Sequence, residues 1–188
     1  MPRFFLIFCI ILAIGCQEQN TLITTARVDF YGLSIDENTS QYTLEATDFG
    51  EAFLKEEGNL TTIRFELKNL APNNEHALHI HTGDCGEPQM HWNMNSTESS
   101  CNRLSNGEVW ARPMAGDIGN ALSNDSGEST IEFTSEFWSL QSGDRNISGL
   151  PIVIHQSGED FAQECFEQHK HLHSNTKIAC GVITINNQ

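Results

Sequence analysis

Apolar and polar residues alternate along short segments of this chain with a period of two. The clearest example is residues 61–68, where Ile63, Phe65 and Leu67 alternate with charged side chains. Because successive side chains of a β-strand point to opposite faces, this pattern predicts a strand with one buried face and one exposed face. The other segments that favour strands are 26–32, 76–81, 129–134, 151–155 and 178–185.

Turn-forming residues separate these segments, at 72–74, 124–127 and 142–144. Many short strands with turns between them are typical of an all-β sandwich or barrel. Two stretches do not fit strands: residues 82–116 and 156–177 are long, polar and rich in Gly, Asn, Ser, Glu and His. Loops of this length within a compact domain are usually functional.

The N-terminal segment differs from the rest of the chain. Residues 4–14 form an apolar run that is too short to span a bilayer as a helix and is typical of a secretory signal. The small residues directly before Cys16 resemble the lipobox of bacterial lipoproteins; the alternative is an ordinary signal peptide with an incidental cysteine. We therefore expect a lipoprotein-type signal peptide (1–15), a lipidated cysteine with a polar tether (16–25) and one domain (26–188).

Composition narrows the possible partners. The chain of 188 residues is long enough for one domain with a substantial core. Its 25 acidic and 10 basic residues give a formal charge of −15. Such a chain is a poor candidate for binding nucleic acid or an anionic membrane surface, since both are bound through Lys and Arg. We expect membrane attachment only through the lipid, on the periplasmic side or at the cell surface. The sequence leaves the oligomeric state open.

Histidine is the residue type that points to chemistry. The chain has eight, and three of them lie on one predicted strand. His79 and His81 share one face of that strand, whereas Ile80 points to the core. By itself, a His-x-His pair is more often an incidental feature of the surface than a metal site. Together with His91 and His155 near strand ends, the pattern favours a site for copper, zinc, iron or nickel.

Five ordered sequence blocks resemble the copper/zinc superoxide dismutases. They are EHALHIHTGDCGEPQMHWN (75–93), GDIGN (116–120), SLQSGD (139–144), GLPIVIHQSGED (149–160) and IACGVITI (178–185). The order and spacing of the blocks match the family well over residues 61–185 and loosely over 26–60. The resemblance implies an eight-stranded Greek-key β-barrel, an immunoglobulin-like sandwich, with two long loops over an external metal site.

The resemblance also implies a role for each histidine of the candidate site. His79 and His81 correspond to a copper-ligating pair, and His155 corresponds to a further copper ligand. His91 matches the imidazolate that bridges copper to zinc. Glu159 and Asp160 lie in the acidic turn that orients ligands in this family.

Four cysteines remain after the predicted cleavage and lipidation: Cys85, Cys101, Cys165 and Cys180. An even number in an exported chain favours two disulfides, and the sequence alone permits three pairings. The resemblance implies a disulfide between Cys85 and Cys180. Cys101 and Cys165 would then form a second disulfide between the two long loops, or remain free thiols.

The chain departs from the family at the zinc site. Asp117 matches a zinc-ligating aspartate, but Met114 stands where a zinc-binding histidine is expected. Since structural zinc sites mostly take four ligands, the resemblance implies a copper-only member in which Asp117 is a residual zinc-site residue. An open alternative is that one or two of His169, His171 and His173 replace the missing zinc ligands and hold zinc together with His91 and Asp117. Without zinc, the second ring nitrogen of His91 needs another partner. Its candidate partners are Asp117, Glu98, Glu108 and Asp160.

Lys177 stands where the family has an arginine that guides superoxide. Lysine keeps the charge but not the rigid planar fork of arginine, so we expect the activity to survive at a lower level. The implied function is an antioxidant oxidoreductase, an exported copper-dependent superoxide dismutase that converts superoxide to oxygen and hydrogen peroxide. His91 and Lys177 would be its catalytic residues. The alternative is a non-catalytic lipoprotein that binds or buffers copper. The four histidines argue against a metal-free relic of the fold.

Overall fold

The computed structural model describes residues 22–94, 113–161 and 175–186. Within these ranges the regular structure is almost entirely β. In chain order the strands are β1 (Ile23–Asp36), β2 (Gln41–Glu57), β3 (Leu60–Leu67), β4 (Glu75–Gly83), β5 (Pro88–His91), β6 (Asp117–Leu122), β7 (Ser129–Ser135), β8 (Pro151–His155), β9 (Lys177–Val182) and β10 (Thr184–Ile185). No helix in the described part of the chain is long and apolar enough to cross a membrane.

The strands pair antiparallel and curl into a Greek-key barrel. Eight of them follow the order β6-β4-β8-β9-β1-β2-β3-β7, and the short strands β5 and β10 add to β4 and β1. The two ends of this order, β6 and β7, lie side by side. Gly119 packs so closely on Phe133 that an added Cβ would come within 2.5 Å of the ring. The predicted eight-stranded all-β fold is confirmed.

The barrel core follows the predicted alternation of apolar residues. Ile63, Phe65 and Leu67 of β3 are all buried, whereas the charged residues between them are exposed. Phe65 stacks on Phe30 of β1 at 6.1 Å between ring centroids. Each such side chain contributes roughly 1.5–3 kcal/mol on burial, so the core stabilises the wall on which the candidate site lies.

Several boundaries differ from the sequence prediction. The apolar pattern does not mark β2 because the first half of this strand is largely exposed on both faces. Residues 23–25 were expected in the tether, but they pair with residues 55–57 and belong to β1. The predicted strand 178–185 is interrupted at Ile183, because the backbone of Ile183 bonds to Gly149 and Leu150 instead.

Part of the predicted chemistry lies outside the described residues. This holds for the signal peptide, the lipidation site Cys16 and most of the tether. It also holds for Glu98, Glu108, Cys101, Cys165 and the cluster of His169, His171 and His173.

Candidate metal centre

Three β-strands bring four histidines together at one point outside the barrel core. β4 supplies His79 and His81, β5 supplies His91, and β8 supplies His155. One ring nitrogen of each histidine lies within 4.8 Å of the others. These are the four residues that the sequence singled out, and the arrangement is suited to hold one metal ion.

Strand parity explains why the histidines meet. In the β4–β8 ladder, Leu78 pairs with Ile154 and Ile80 pairs with Ile152, and all four side chains fill the core. The alternate positions on both strands therefore face away from the core, towards the histidine cluster. On the other side of β4, His81 pairs directly with His91 of β5.

Backbone carbonyls fix the orientation of two of the rings. Nδ1 of His81 donates to the carbonyl oxygen of Gln89 at 2.8 Å, and Nδ1 of His155 donates to that of Asn175 at 3.0 Å. A carbonyl only accepts, so each Nδ1 carries the proton and each Nε2 presents a lone pair. The two Nε2 atoms lie 3.4 Å apart. Facing lone pairs repel one another, and a cation shared between them removes the repulsion, so this donor set fits a metal ion.

Burial keeps these two imidazoles neutral. Desolvation is the main cause that lowers the pKa of His81 to about 2 and the pKa of His155 to about 3. Electrostatic interactions with His91 and Lys177 lower both values further. Since neutral imidazole is the form that binds metal, the site is ready for a cation at neutral pH.

Asp117 supports His91 through a short hydrogen bond. Nδ1 of His91 donates to Oδ1 of Asp117 at 2.7 Å, and the backbone N–H of Met114 donates to Oδ2 at 2.8 Å. Asp117 is fully buried. Of the partners that the sequence left open, the structure thus pairs His91 with Asp117. The bond directs Nε2 of His91 away from Asp117 and makes it available to the cluster.

A buried histidine that the sequence analysis did not assign supports the site. His76 is fully buried on β4, and its Nδ1 donates to the carbonyl oxygen of His155 at 2.9 Å. It therefore fixes the backbone at the end of β8. Its parity on β4 is that of Leu78 and Ile80, and a histidine on a core face needs a hydrogen-bond partner. The position of His76 on the core face of β4 was therefore the sequence signal that could have identified it.

Glu159 approaches the cluster from the turn after β8. Its Oε2 lies 3.1 Å from Nε2 of His79. Asn120 and Asn175 hold this turn in place: the side-chain amide of Asn120 donates to the backbone oxygen of Glu159 at 2.8 Å, and that of Asn175 donates to Oε1 at 3.3 Å. Glu159 is thus placed to orient the ring of His79, as the resemblance implies.

Lys177 lies beside the cluster at the start of β9. It pairs with His155 in the β8–β9 ladder, and its Nζ lies 5.3 Å from the centre of the Tyr42 ring. Partial burial lowers the pKa of its ammonium group. Lys177 is therefore the cross-strand neighbour of His155, and its charge acts on the rings of His81 and His155.

A disulfide joins Cys85 to Cys180, the pair that the resemblance implies. The two cysteines pack with Val153 on β8 and with Leu33 on β1. Val153 lies on the same face of β8 as His155, so the disulfide braces the strand that carries this histidine.

Comparison with known proteins gives the family of this chain. Residues 49–183 match the family model of copper/zinc superoxide dismutase (SODC). Superoxide dismutase [Cu-Zn] 2 of Aquifex aeolicus (strain VF5) is 30% identical over 149 residues, which are 74% of this chain and 81% of that protein. Superoxide dismutase [Cu-Zn] 1 of the same organism is 30% identical over 144 residues, covering 71% and 79%.

The fold has a counterpart among solved structures. A SOD-like protein from Bacillus subtilis superposes with a TM-score of 0.58 at 20% identity, covering 83% of this chain and 96% of that one. This likeness concerns the fold alone. The match to the family model over most of the chain shows that this protein belongs to the copper/zinc superoxide dismutase family.

The lowered histidine pKa values predict how acid affects the metal-free protein. His81 and His155 stay neutral in the fold, whereas the unfolded chain binds protons below about pH 6.5. The free energy of unfolding should therefore fall as the pH falls, by up to about 1.4 kcal/mol per pH unit for each histidine. Urea unfolding at about pH 7 and pH 5 measures this slope.

A double variant, His81→Gln with His155→Gln, is the control for other groups that titrate in this range. It should lose much of the pH dependence between these two conditions. An unchanged slope in the double variant would show that other groups cause the acid sensitivity.

Proposed function

We propose that this protein is an exported, copper-dependent superoxide dismutase that converts superoxide to oxygen and hydrogen peroxide. The observation that carries the proposal is the convergence of four imidazoles in a chain of this family. His79, His81, His91 and His155 would hold the copper. Copper bound there supplies one-electron chemistry, since imidazole ligands suit both of its common oxidation states.

The surrounding residues have distinct tasks in this proposal. The carbonyl oxygens of Gln89 and Asn175 hold protons on the Nδ1 atoms of His81 and His155. Asp117 holds a proton on Nδ1 of His91. These bonds fix each ring before the metal arrives, so little reorganisation is needed on binding.

Lys177 would attract the anionic substrate. The chain as a whole carries a formal charge of −15 and repels superoxide. At physiological salt this repulsion is screened beyond about 8 Å. A half-buried ammonium group beside the site is screened less, so its local field decides the last part of the approach.

A second candidate function is copper binding or buffering without catalysis. The nearly complete burial of His79, His81 and His155 favours it, because a cation held there is shielded from small molecules in solvent. Neither proposal includes zinc, because Met114 stands where a zinc-binding histidine is expected, and His91 and Asp117 alone are fewer than the four ligands of most structural zinc sites.

Metal analysis followed by a dismutation assay separates the two functions. We expect about one copper per chain after loading, and superoxide dismutation well above that of the metal-free protein. Stoichiometric copper without dismutation would contradict the enzyme and support the buffering protein. A chain that takes up no copper would contradict both.

The proposal includes export and a lipid anchor at Cys16, with the domain facing the periplasm or the cell surface. Its support is the apolar run of residues 4–14 followed by small residues and Cys16. A location outside the cytoplasm also suits a chain that forms a disulfide between Cys85 and Cys180.

The bond between Asp117 and His91 predicts the effect of removing this carboxylate. Replacing a residue that orients a metal ligand typically weakens metal binding 10- to 100-fold, so we expect Asp117→Ala to lower copper affinity by roughly this factor. Competition with a chelator of known affinity measures it. Asp125→Ala, in an exposed turn, is the matched control. Equal affinity in both variants would mean that Asp117 does not support the metal site.

A further inference from the structure

The far end of the β1–β2 hairpin reaches the metal centre. Beyond an irregularity at Tyr31, the hairpin continues through the pairs Leu33–Leu44 and Ile35–Tyr42. The backbone N–H of Tyr42 then donates to the carbonyl oxygen of Gly86 at 2.9 Å. This bond attaches the hairpin to the turn that contains Cys85.

Hydrogen bonds within that turn hold its shape. The side chain of Asp84 accepts from the backbone N–H groups of Gly86 and Glu87, at 2.8 and 3.0 Å. The disulfide ties Cys85 to Cys180 on β9, the strand that begins with Lys177. The backbone of Tyr42 is therefore held in a fixed position relative to Lys177.

The side chains of Tyr42 and Lys177 meet. Nζ of Lys177 lies 5.3 Å from the centre of the Tyr42 ring, within the usual range of a cation–π contact. Lys55 and Lys68, by contrast, form ion pairs with Glu57 and Asp48. No carboxylate of the described residues forms an ion pair with Lys177.

An aromatic partner has a different electrostatic consequence from a carboxylate. A carboxylate would orient Lys177 but would also cancel its charge for an approaching anion. The face of a tyrosine ring attracts the ammonium group through its quadrupole and carries no net charge. Lysine also lacks the rigid planar fork of arginine, so its flexible stem gains more from an external support.

We propose that Tyr42 is a positioning residue that holds Lys177 beside the histidine cluster, as a cation that pairs with no carboxylate of the described residues, for capture of a small anion. This inference rests on the proposed dismutase function for the identity of the anion, superoxide. The placement of Lys177 by Tyr42 and its effect on other small anions do not depend on that identity.

Three substitutions test the role of the ring. Tyr42→Leu removes the aromatic face and keeps an apolar side chain, and Tyr42→Phe keeps the face and removes the hydroxyl. Tyr31→Leu is the matched control, since Tyr31 is the other tyrosine of the chain and is exposed on the same hairpin. Tyr42→Met replaces Tyr42→Leu if the leucine variant does not fold.

The first measurement needs neither metal nor activity. Mass spectrometry follows the acetylation of Lys177 by acetic anhydride in the full-length metal-free protein, with Lys55 as the internal reference. We expect acetylation of Lys177 to become roughly two- to fivefold faster in Tyr42→Leu, the range that corresponds to an ordinary cation–π contact. Tyr42→Phe and Tyr31→Leu should leave the rate unchanged.

The second measurement is the affinity of the copper-loaded protein for azide, a small anion of the same charge as superoxide. Affinity should fall in Tyr42→Leu by a similar roughly two- to fivefold factor and recover in Tyr42→Phe. In a Lys177→Met background, Tyr42→Leu should have no further effect on azide affinity. The kcat/KM for superoxide should follow the same order.

The outcomes separate this inference from the proposed function. Equal acetylation of Lys177 in Tyr42→Leu and the parent protein would overturn the positioning role, and so would a Tyr42→Phe variant that behaves like Tyr42→Leu. A protein without dismutase activity whose acetylation and azide binding change as expected would overturn the dismutase and leave the role of Tyr42 standing.

Discussion

The His155→Ala variant is expected to lose nearly all dismutase activity and most of its copper affinity while it remains folded. The ring centre of His155 lies 4.6, 5.6 and 6.4 Å from those of His79, His81 and His91, and its Nε2 lies 3.4 Å from that of His81. Removing a residue that only orients a ligand already weakens metal binding 10- to 100-fold, so loss of the proposed ligand itself should cost more than about 100-fold.

The fold should tolerate this change because the histidine lies outside the barrel core. Ile152 and Ile154, which fill the core from the same strand, are untouched. The main loss of stability comes from the carbonyl oxygen of Asn175, which no longer accepts a hydrogen bond from Nδ1 of His155. An unpaired buried acceptor costs about 1–3 kcal/mol, less than the usual total stability of such a domain.

Copper content, azide or chelator competition and the rate of superoxide loss should be measured on the same preparation. Gln156→Ala is the matched control, because it alters the next residue of the chain, whose side chain is exposed. It should bind copper and react like the parent protein. Full activity with stoichiometric copper in His155→Ala would contradict both the site and the function built on it.

Parity made much of the candidate site predictable from the sequence. A period of two residues is enough to put Ile80 and Ile154 in the core and His79, His81 and His155 on the opposite face. This argument does not require knowing which strands are neighbours. Predicting that the four histidines meet at one site does require it. That information came from the order and spacing of five sequence blocks that resemble the family.

Contacts that depend on register between distant segments could not be predicted. The choice of Asp117 as the partner of His91 follows from where β5 and β6 lie against opposite ends of the same edge of β4. Likewise, Tyr42 meets Lys177 because the exposed half of β2 extends beyond the core, where no apolar pattern marks it. Local alternation of residues carries no signal for either contact.

Loss of the disulfide between Cys85 and Cys180 is expected to lower both the stability and the copper affinity. The bond closes a loop across a sequence separation of 95 residues. On the chain-entropy model such a cross-link stabilises the fold by roughly 4–5 kcal/mol, an upper value for many proteins. Urea unfolding of the metal-free protein compares the parent with a Cys85→Ala, Cys180→Ala double variant, which leaves the other cysteines unchanged.

Copper affinity should fall together with stability because the disulfide holds two parts of the metal site. On one side it anchors the turn between β4 and β5, the strands that carry His81 and His91. On the other it packs on Val153, next to the strand end that carries His155. Without the bond, binding copper must first order these segments, and that ordering reduces the observed affinity. If the double variant unfolds at lower urea but binds copper as tightly as the parent, the disulfide stabilises the barrel without organising the metal site, and this coupling is wrong.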